Sequence, residues 1–363
     1  MYDVVVVGGG IGGLTVAALL CARGMNTCLL ERQSQVGGCI ARVEFSGHDF
    51  EPGMGLYTSF GPGGIYEKLF AQLSVDPPAT SLLASPYVMR SADGNDVILN
   101  TNDLYSIAGG PATLAERLAE SIKRSGGNLR LNSPVLRLSY DEAGRAAGVD
   151  LLSGERVFAK KAIVSNLTIW DTYGKLVGLN RTPPEVKKHL NALRSTGVYV
   201  VYASMEEPAV SRLPGERMLV KDSEGEFTMA VAAAQSAPRG KRAVTFTCRT
   251  EVDSWFAYQS SEEDYEEWDQ DALAQFWNRL HAALPELGSD IEIIETANPR
   301  TYYDQTRRKL GMVLGIDGAS NTSPRTFLPN LFIIGDTVTT SPTLDAVVEA
   351  AVLLATDLHE KNG

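Results

Sequence analysis

The 363-residue sequence has few of the residues that mark metalloproteins and disulfide-rich proteins. It contains four cysteines and four histidines. The cysteines lack the CxxC spacing of zinc and redox motifs, and the histidines are too scattered to follow metal-ligand spacing. We therefore expect no metal site, and free thiols of the kind found in a reducing compartment.

Positive charge and long apolar runs are scarce as well. The 33 Lys and Arg residues are outnumbered by 44 Asp and Glu residues, which gives a net charge of -11, and the sequence has no basic stripe for nucleic acid. No apolar run reaches the roughly 18 residues that cross a bilayer, although a local patch for peripheral membrane contact stays open. Because Met1 directly precedes the first predicted strand, we expect no signal peptide and a cytoplasmic protein.

Glycine, by contrast, is abundant, with 34 residues. An apolar β-branched run over residues 4–7 leads into Gly8-Gly9-Gly10-Ile11-Gly12-Gly13, then into an Ala/Leu-rich helix and a second apolar run that ends at Glu31. This order predicts a βαβ unit that binds a dinucleotide. The pyrophosphate of such a ligand lies at a helix N-terminus, where free amide groups and the helix dipole favour an anion.

Each residue type in this unit has a physical reason. Gly8 permits the tight turn out of the strand, Gly10 lets the backbone approach a pyrophosphate, and Gly13 lets the helix pack on the strand. Glu31 stands where a carboxylate accepts hydrogen bonds from ribose hydroxyls. The motif therefore predicts the nucleotide half of a binding site.

The remaining pattern predicts two interleaved lobes. We expect a strand over 44–50, a hairpin over 87–99, a helix to about residue 124, and a meander over 129–166 whose strands are 129–138, 147–152 and a last one that ends at residue 166. Further strands are predicted at 198–204, 218–221, 227–232 and 243–250, followed by a helix over 262–284. The last elements are a strand over 330–335 and a helix over 343–358.

Four segments together resemble the flavin-dependent amine oxidase and phytoene desaturase superfamily. They are the glycine motif with Glu31; Glu31-Arg32 leading to Gly37-Gly38; the meander with Val135, closed by Ser165-Asn166; and the 330–336 strand ending at Gly335-Asp336. The segment over residues 298–311 is similar to the one that precedes the last FAD strand in desaturases and polyene isomerases, which favours that branch.

The resemblance implies an α/β fold. A Rossmann-like FAD-binding domain of the glutathione-reductase and amine-oxidase type would be interleaved with an α+β substrate domain built on a mixed or antiparallel sheet. We expect residues 1–50, 103–170 and 300–363 to form the FAD-binding domain. Residues 51–102 and 171–299 would form the substrate-binding domain.

The resemblance also implies noncovalent FAD. No cysteine follows Cys248, which argues against C-terminal thioether attachment. The sequence also lacks a second GxGxxG motif that would indicate a nicotinamide site. We therefore expect oxygen, a quinone or an external carrier as electron acceptor. A helix beginning near Leu344 would direct its N-terminal amides at the flavin pyrimidine edge. The expected FAD-binding residues are Gly8, Gly10, Ile11, Gly12, Gly13, Glu31, Arg32, Gly37, Gly38, Val135, Asn166, Gly335, Asp336, Leu344 and Ala346.

Two positions depart from the phytoene desaturase branch. That branch usually has an arginine after its second glycine pair, where this chain has Cys39, with Arg42 as the nearest candidate to replace it. Ser341-Pro342-Thr343 stands where that branch has glycines. The substrate-facing side of the flavin is therefore left open by the sequence.

Candidate catalytic residues at the flavin are Glu51, Tyr57 and Tyr303. Glu51 follows the strand that enters the cofactor region, and a carboxylate there is able to transfer a proton. The alternative is that Glu51 binds backbone groups and shapes the loop that follows it. His48 and Arg307 complete the set of residues to inspect.

Three functions remain open. The first is an FAD-dependent oxidoreductase that desaturates, saturates or isomerises a hydrophobic polyene or isoprenoid by hydride transfer at flavin N5. The second is an amine or amino-acid oxidase, although the last sixty residues lack an obvious aromatic cage. The third is a flavin-free binding protein on the scaffold of GDP-dissociation inhibitors. The oligomeric state is not predicted.

Overall fold

The computed structural model describes residues 1–53, 55–99, 101–257, 262–316 and 323–361. Its strands are β1 Tyr2–Val7, β2 Thr27–Leu30, β3 Val43–Phe45, β4 His48–Phe50, β5 Thr80–Leu82, β6 Tyr87–Arg90, β7 Asp96–Leu99, β8 Tyr105–Ile107, β9 Asn128–Arg130, β10 Val135–Tyr140, β11 Ala146–Leu151, β12 Arg156–Ser165, β13 Gly197–Glu206, β14 Arg217–Asp222, β15 Gly225–Val231, β16 Lys241–Thr250, β17 Ile291–Ala297 and β18 Leu331–Ile333. Its α-helices are α1 Ile11–Ala22, α2 Ile65–Phe70, α3 Ala112–Arg124, α4 Ile169–Asp171, α5 Pro184–Ala192, α6 Glu207–Val210, α7 Val252–Ala257, α8 Glu262–Ala283, α9 Pro299–Thr306 and α10 Leu344–Glu360.

The first sheet contains the nucleotide-binding pattern. Its strand order is β10-β11-β12-β1-β2-β9, and β18 pairs with β12. The pairs β1–β12, β1–β2, β2–β9 and β12–β18 are parallel, whereas β10–β11 and β11–β12 are antiparallel. Strand β12 therefore joins the meander to the parallel sheet.

Helix α1 is buried all round, which explains why its sequence is almost wholly apolar. Leu14, Val16 and Leu19 have no exposed surface, and the core around them includes residues of α3 and α10. A helix that is apolar on every face needs partners on every side. The glycine turn that opens α1 is thus held by a fully packed element.

The second sheet is mostly antiparallel, with the order β17-β13-β16-β15-β14-β6-β7. Only β14–β6 among its pairs in the described residues is parallel. Successive side chains of β13 face opposite sides: Val201 and Ala203 join the core with α8, whereas Val200 and Tyr202 join a smaller cluster with Phe50. This second side carries residues that line the cleft described below.

A Rossmann-like parallel sheet joined to a second, mostly antiparallel sheet is present as the sequence predicts, but two of the predicted strands are wrong. The 44–50 strand is a hairpin, β3 and β4, because Ser46 and Gly47 adopt positive φ angles of 49° and 73° and reverse the chain. The 129–138 strand is divided into β9, parallel to β2, and β10, antiparallel to β11. The boundaries of the two domains stay a prediction. Among the described residues, we find no helix with the length and hydropathy needed to cross a membrane.

Candidate functional site

A large cleft lies where parallel strands of the first sheet end. Gly8 follows β1, Asn166 follows β12 and Gly335 lies just beyond β18, and all three line a cleft of about 1070 Å³. Ligands of open α/β sheets bind at the carboxyl ends of the strands. The topology therefore brings three distant parts of the chain to one binding edge.

The glycine turn is packed too closely to carry side chains, so it presents backbone to the cleft. A Cβ on Gly13 would clash with the Gly8 carbonyl oxygen, and one on Gly12 would come within 2.8 Å of Asn166 Oδ1. One on Gly10 would come within 2.5 Å of Asn166 Nδ2. Gly8 itself has a φ of +100°, which favours glycine. The backbone cradle fits a dinucleotide pyrophosphate.

The second glycine pair docks on the first. Gly37 N donates a 2.8 Å hydrogen bond to Gly9 O, and Gly37 and Gly38 have φ angles of +113° and +59°. A β-bridge also joins Gly10 to Gly37. The two glycine segments thus form one wall of the cleft.

Glu31 is held in place by backbone donors. Its Oε2 accepts from Gly9 N and its Oε1 from Gln33 N, each at 2.7 Å. The residue is 8% exposed and still lines the cleft. The carboxylate therefore meets a bound ligand in a fixed orientation.

The structure brings most of the residues expected to bind FAD into this one cleft. Gly13 and Ala346 are the exceptions: Gly13 packs against Gly8, and Ala346 N donates to the Thr343 side chain at the start of α10. The expected residues in the cleft lining are Gly8, Gly10, Ile11, Gly12, Glu31, Arg32, Gly37, Gly38, Val135, Asn166, Gly335, Asp336 and Leu344.

Arg308 is a cleft residue that the sequence reasoning missed. Its Nη2 donates to Asp336 Oδ2 at 2.6 Å, and its Nε donates to Met312 O at 2.6 Å. Burial is the largest single influence and lowers the pKa of Arg308, but the nearby acidic groups, Asp336 foremost, together outweigh it, so the net pKa is raised. The guanidinium therefore stays charged within the cleft.

Helix α9 places two tyrosines along the cleft. Asn298 caps this helix by accepting from Arg300 N at 3.0 Å, and Thr301 Oγ1 accepts from Asn298 N, which forms a capping box. Tyr302 and Tyr303 in the first two turns line the cleft as a result.

Tyr302 meets Tyr202 of β13 at an apolar end of the cleft, which we call the ring end. The two tyrosine hydroxyls are hydrogen-bonded to each other, and Phe45 packs on Tyr202 with ring centroids 5.6 Å apart. Burial raises the pKa of Tyr202 to about 12 and raises that of Tyr302 as well. Val43, Phe45, Tyr202, Ala297, Tyr302 and Val313 define this end.

The ring end has little local signal in the sequence. Tyr202 reads as one residue of an apolar strand, and only the pairing of the second sheet brings it to Tyr302. Both tyrosines precede the last sixty residues, the part of the sequence that lacks an obvious aromatic cage. Aromatic side chains therefore reach the cleft from β13 and α9, two elements that are distant in the sequence.

The three candidate catalytic residues do not lie together. Tyr303 lines the cleft, with the Arg307 guanidinium 5.0 Å from its ring centroid. Glu51 and Tyr57 are absent from the described cleft lining; the Tyr57 hydroxyl donates to Glu51 Oε1 at 2.5 Å instead. His48 is buried and bonded to Ser204 at 2.9 Å, away from the cleft.

Glu51 and Tyr57 form a buried cluster with Arg217. Burial raises the pKa of Glu51, against the effects of the Tyr57 hydroxyl and Arg217. Burial lowers the pKa of Arg217, whereas Glu51 raises it. In this arrangement Glu51 accepts a hydrogen bond from the Tyr57 side chain. Its catalytic role stays a prediction.

Comparison with protein families now adds to this geometry. The family model described as flavin containing amine oxidoreductase matches residues 86–353, and a model of the NAD(P)-binding Rossmann-like domain matches residues 6–73. The chain belongs to the flavin containing amine oxidoreductase family. Membership implies a flavin cofactor, which agrees with the side-chain-free cradle at the glycine turn.

Curated proteins with similar sequences are named for reactions of carotenoids and retinol. Prolycopene isomerase of Arabidopsis thaliana is 28% identical over 53% of this chain and 34% of its own length. Carotenoid 3,4-desaturase of Haloarcula japonica is 40% identical over 21% of this chain and 14% of its own, and human all-trans-retinol 13,14-reductase is 30% identical over 25% and 15%. The matched part thus spans about a third of the plant enzyme and a smaller share of the other two proteins.

Solved structures support the fold across the whole chain. An oxidoreductase from Methanosarcina mazei has a TM-score of 0.75 at 14% identity, covering 97% of this chain and 99% of its own. Cyclohexylamine oxidase from Brevibacterium oxydans has a TM-score of 0.67 at 14% identity, covering 99% of each chain. At such identities these likenesses establish the amine-oxidase-like fold alone.

Proposed function

We propose that this chain is an FAD-dependent oxidoreductase that acts on carbon–carbon bonds of a hydrophobic, polyene- or isoprenoid-like substrate. The similarity to polyene isomerases, desaturases and retinol reductases supports this proposal. The observation that carries it is the joining of a nucleotide cradle and an apolar ring end in one cleft. The reaction would be a desaturation, a saturation or an isomerisation.

FAD would be held noncovalently by the chain. The glycine turn would receive the pyrophosphate, Glu31 the ribose, and Asp336 the ribityl or pyrophosphate part. When bound, the flavin supplies hydride transfer at N5. The wall formed by Tyr202, Tyr302 and Phe45 would exclude water and position an apolar substrate.

Amine oxidation is the second candidate. The hydrogen-bonded pair Tyr202 and Tyr302 favours it, because aromatic faces and hydroxyls at the ring end suit a polar or cationic nitrogen as well as a polyene. The fold shared with cyclohexylamine oxidase is compatible with it. The sequence similarity to polyene enzymes is the reason for placing it second.

An anaerobic titration separates the candidates. The flavin-loaded protein is mixed with all-trans-retinol, a cis-carotene or cyclohexylamine, in the oxidised and the photoreduced state. We expect reoxidation of reduced flavin, bleaching of oxidised flavin or a changed isomer composition with a polyene. Bleaching by the amine alone would overturn the proposal, and a colourless protein that binds no FAD would favour the flavin-free binding protein.

The surroundings of the reaction are also proposals. Oxygen, a quinone or an external carrier would accept electrons, and the chain would work in the cytoplasm. Peripheral membrane contact would give it access to a lipophilic substrate.

A further inference from the structure

The turn that follows α9 has an unusual backbone. Arg307 and Leu310 have positive φ angles of 56° and 50°, and Gly311 has one of 63°. A side chain at Gly311 would clash with the Pro299 carbonyl. Non-glycine residues in this region are strained and persist where the surrounding structure holds them, often at functional sites.

This strained turn carries Arg308 into the cleft between its two left-handed residues. The Arg308 side chain is 15% exposed and its partner Asp336 is 18% exposed. Two guanidinium nitrogens are bonded, to Asp336 Oδ2 and to Met312 O, each at 2.6 Å. Within the described residues Nη1 has no hydrogen-bond partner and is not a buried orphan, so it is available to a ligand in the cleft.

Four other cationic side chains line the cleft, and each has a partner away from Asp336. Arg32 Nη1 donates to Gln305 O at 3.2 Å, and Arg307 pairs with Asp304 at 2.9 Å with 48% of its side chain exposed. Arg42 pairs with Asp49 at 3.1 Å with 43% of its side chain exposed. Lys175 pairs with Asp171 at 2.8 Å and is 53% exposed. Arg308 is paired with Asp336. Cys39 lines the same cleft, and its raised thiol pKa keeps it uncharged, so it supplies no cation there.

A flavin dinucleotide brings a doubly charged diphosphate into this cleft. Glycine amides and a helix N-terminus supply only partial positive charge, whereas a guanidinium forms charge-assisted hydrogen bonds with phosphate oxygens. Asp336 would add a negative charge beside the diphosphate if it stood alone. Arg308 neutralises that carboxylate and keeps one donor group free.

We propose that Arg308 binds the FAD diphosphate and supplies the positive charge that this part of the cleft lacks at Cys39. This inference rests on the proposed FAD site but not on the identity of the substrate. It assigns the left-handed turn a role, which is to present the guanidinium to the cofactor.

The test measures binding of FAD and of riboflavin, which lacks phosphate, to flavin-free protein by flavin fluorescence. Arg308→Met should weaken FAD binding about 10- to 100-fold, as expected for a lost hydrogen bond to a charged group. Riboflavin affinity should change by no more than about twofold. Arg308→Lys, which keeps the charge, should retain part of the FAD affinity.

Two further variants serve as control and rescue. Arg325→Met removes an exposed arginine–aspartate pair outside the cleft, with Asp357 at 2.9 Å, and should leave FAD affinity within about twofold. Cys39→Arg in the Arg308→Met background should restore part of the lost FAD affinity, because it returns a cation to the lining of the same cleft.

A role for Arg308 as a mere brace for Asp336 predicts different results. In an Asp336→Asn background a brace would have nothing left to hold, so Arg308→Met would then cost no FAD affinity, whereas the proposal predicts a continuing loss. Unchanged FAD affinity in Arg308→Met, or equal losses for FAD and riboflavin, would overturn the proposal. So would a wild-type chain that binds no FAD. A chain that binds FAD through Arg308 but acts on no polyene would overturn the proposed function alone.

Discussion

The two ends of the cleft differ in which atoms form their walls. At the nucleotide end, backbone atoms of the glycine turn and of the 37–38 pair form the wall, and a Cβ on Gly13 would clash with Gly8 O. At the ring end, side chains of the second sheet and α9 form the wall, with Tyr202 bonded to Tyr302. The first surface has little room for substitution, whereas the second depends on which side chains occupy it.

This difference suggests that one end of the cleft recognises the cofactor and the other selects the substrate. A wall of backbone recognises a group common to many proteins, because any sequence with glycines in the right places can form it. A wall of side chains can be changed without altering the fold, so it is where substrate choice is expected to reside. Mutations at the two ends should therefore affect cofactor and substrate separately.

The largest effect is expected at the nucleotide end. Gly13→Ala should lower the free energy of unfolding by about 1–3 kcal/mol, because its Cβ overpacks against the Gly8 carbonyl, and should weaken FAD binding. Denaturant unfolding and FAD titration measure the two effects. Gly174→Ala is the matched control, since a Cβ there meets nothing within 4 Å; equal effects of the two substitutions would break the comparison.

An intermediate effect is expected at the ring end. Tyr302→Phe removes the hydrogen bond to Tyr202 and should cost about 0.5–1.5 kcal/mol of stability, with FAD affinity unchanged and substrate turnover altered. Because the Tyr302 hydroxyl lowers the pKa of Tyr202, that pKa should rise above its value of about 12 in the variant. Ultraviolet phenolate absorbance during an alkaline titration measures the shift. A large loss of FAD affinity would contradict the separation of the two ends.

The smallest effect is expected at Glu51, outside the described cleft lining. Burial raises its pKa above 4.5, so its contribution to stability is fully present below about pH 4.5 and is lost as the pH rises through the folded-state pKa. Relative to the wild type, Glu51→Gln should therefore become more stable as the pH rises. Denaturant unfolding across this pH range measures the difference, with exposed Glu44→Gln as control. If the difference in stability between Glu51→Gln and the wild type did not change with pH, a raised pKa of Glu51 would be contradicted. Loss of turnover at unchanged FAD affinity would support a catalytic role.

Sequence predicted the nucleotide end well because its signals are local. Gly8, Gly13 and Glu31 lie within one βαβ unit, and each needs a particular residue type for a backbone reason. Asn166 and Asp336 were found through the resemblance to a family, since only the parallel pairing of β12 and β18 brings them to the glycine turn. Here long-range pairing supplied what periodicity does not encode.

The ring end was less predictable for the same reason. The alternation over residues 44–50 indicated one strand, and it outweighed the Ser46-Gly47 dipeptide, a turn signal at which the chain reverses. Arg308 lay in a recognised segment, yet its direction depends on left-handed residues around it. Tyr202 could be assigned to a strand but not to the cleft, because strand alternation alone does not tell which face meets a ligand.

The account depends most on one claim, that the amino- and carboxyl-terminal parts of the chain form one FAD site. Titration of the flavin-free protein with FAD, followed by denaturation and measurement of released flavin, tests it directly. We predict one FAD per chain, released intact on denaturation, with affinity lowered by Gly13→Ala and by Asp336→Asn. A wild-type chain that binds no FAD, or binds it equally well in both variants, would contradict the claim.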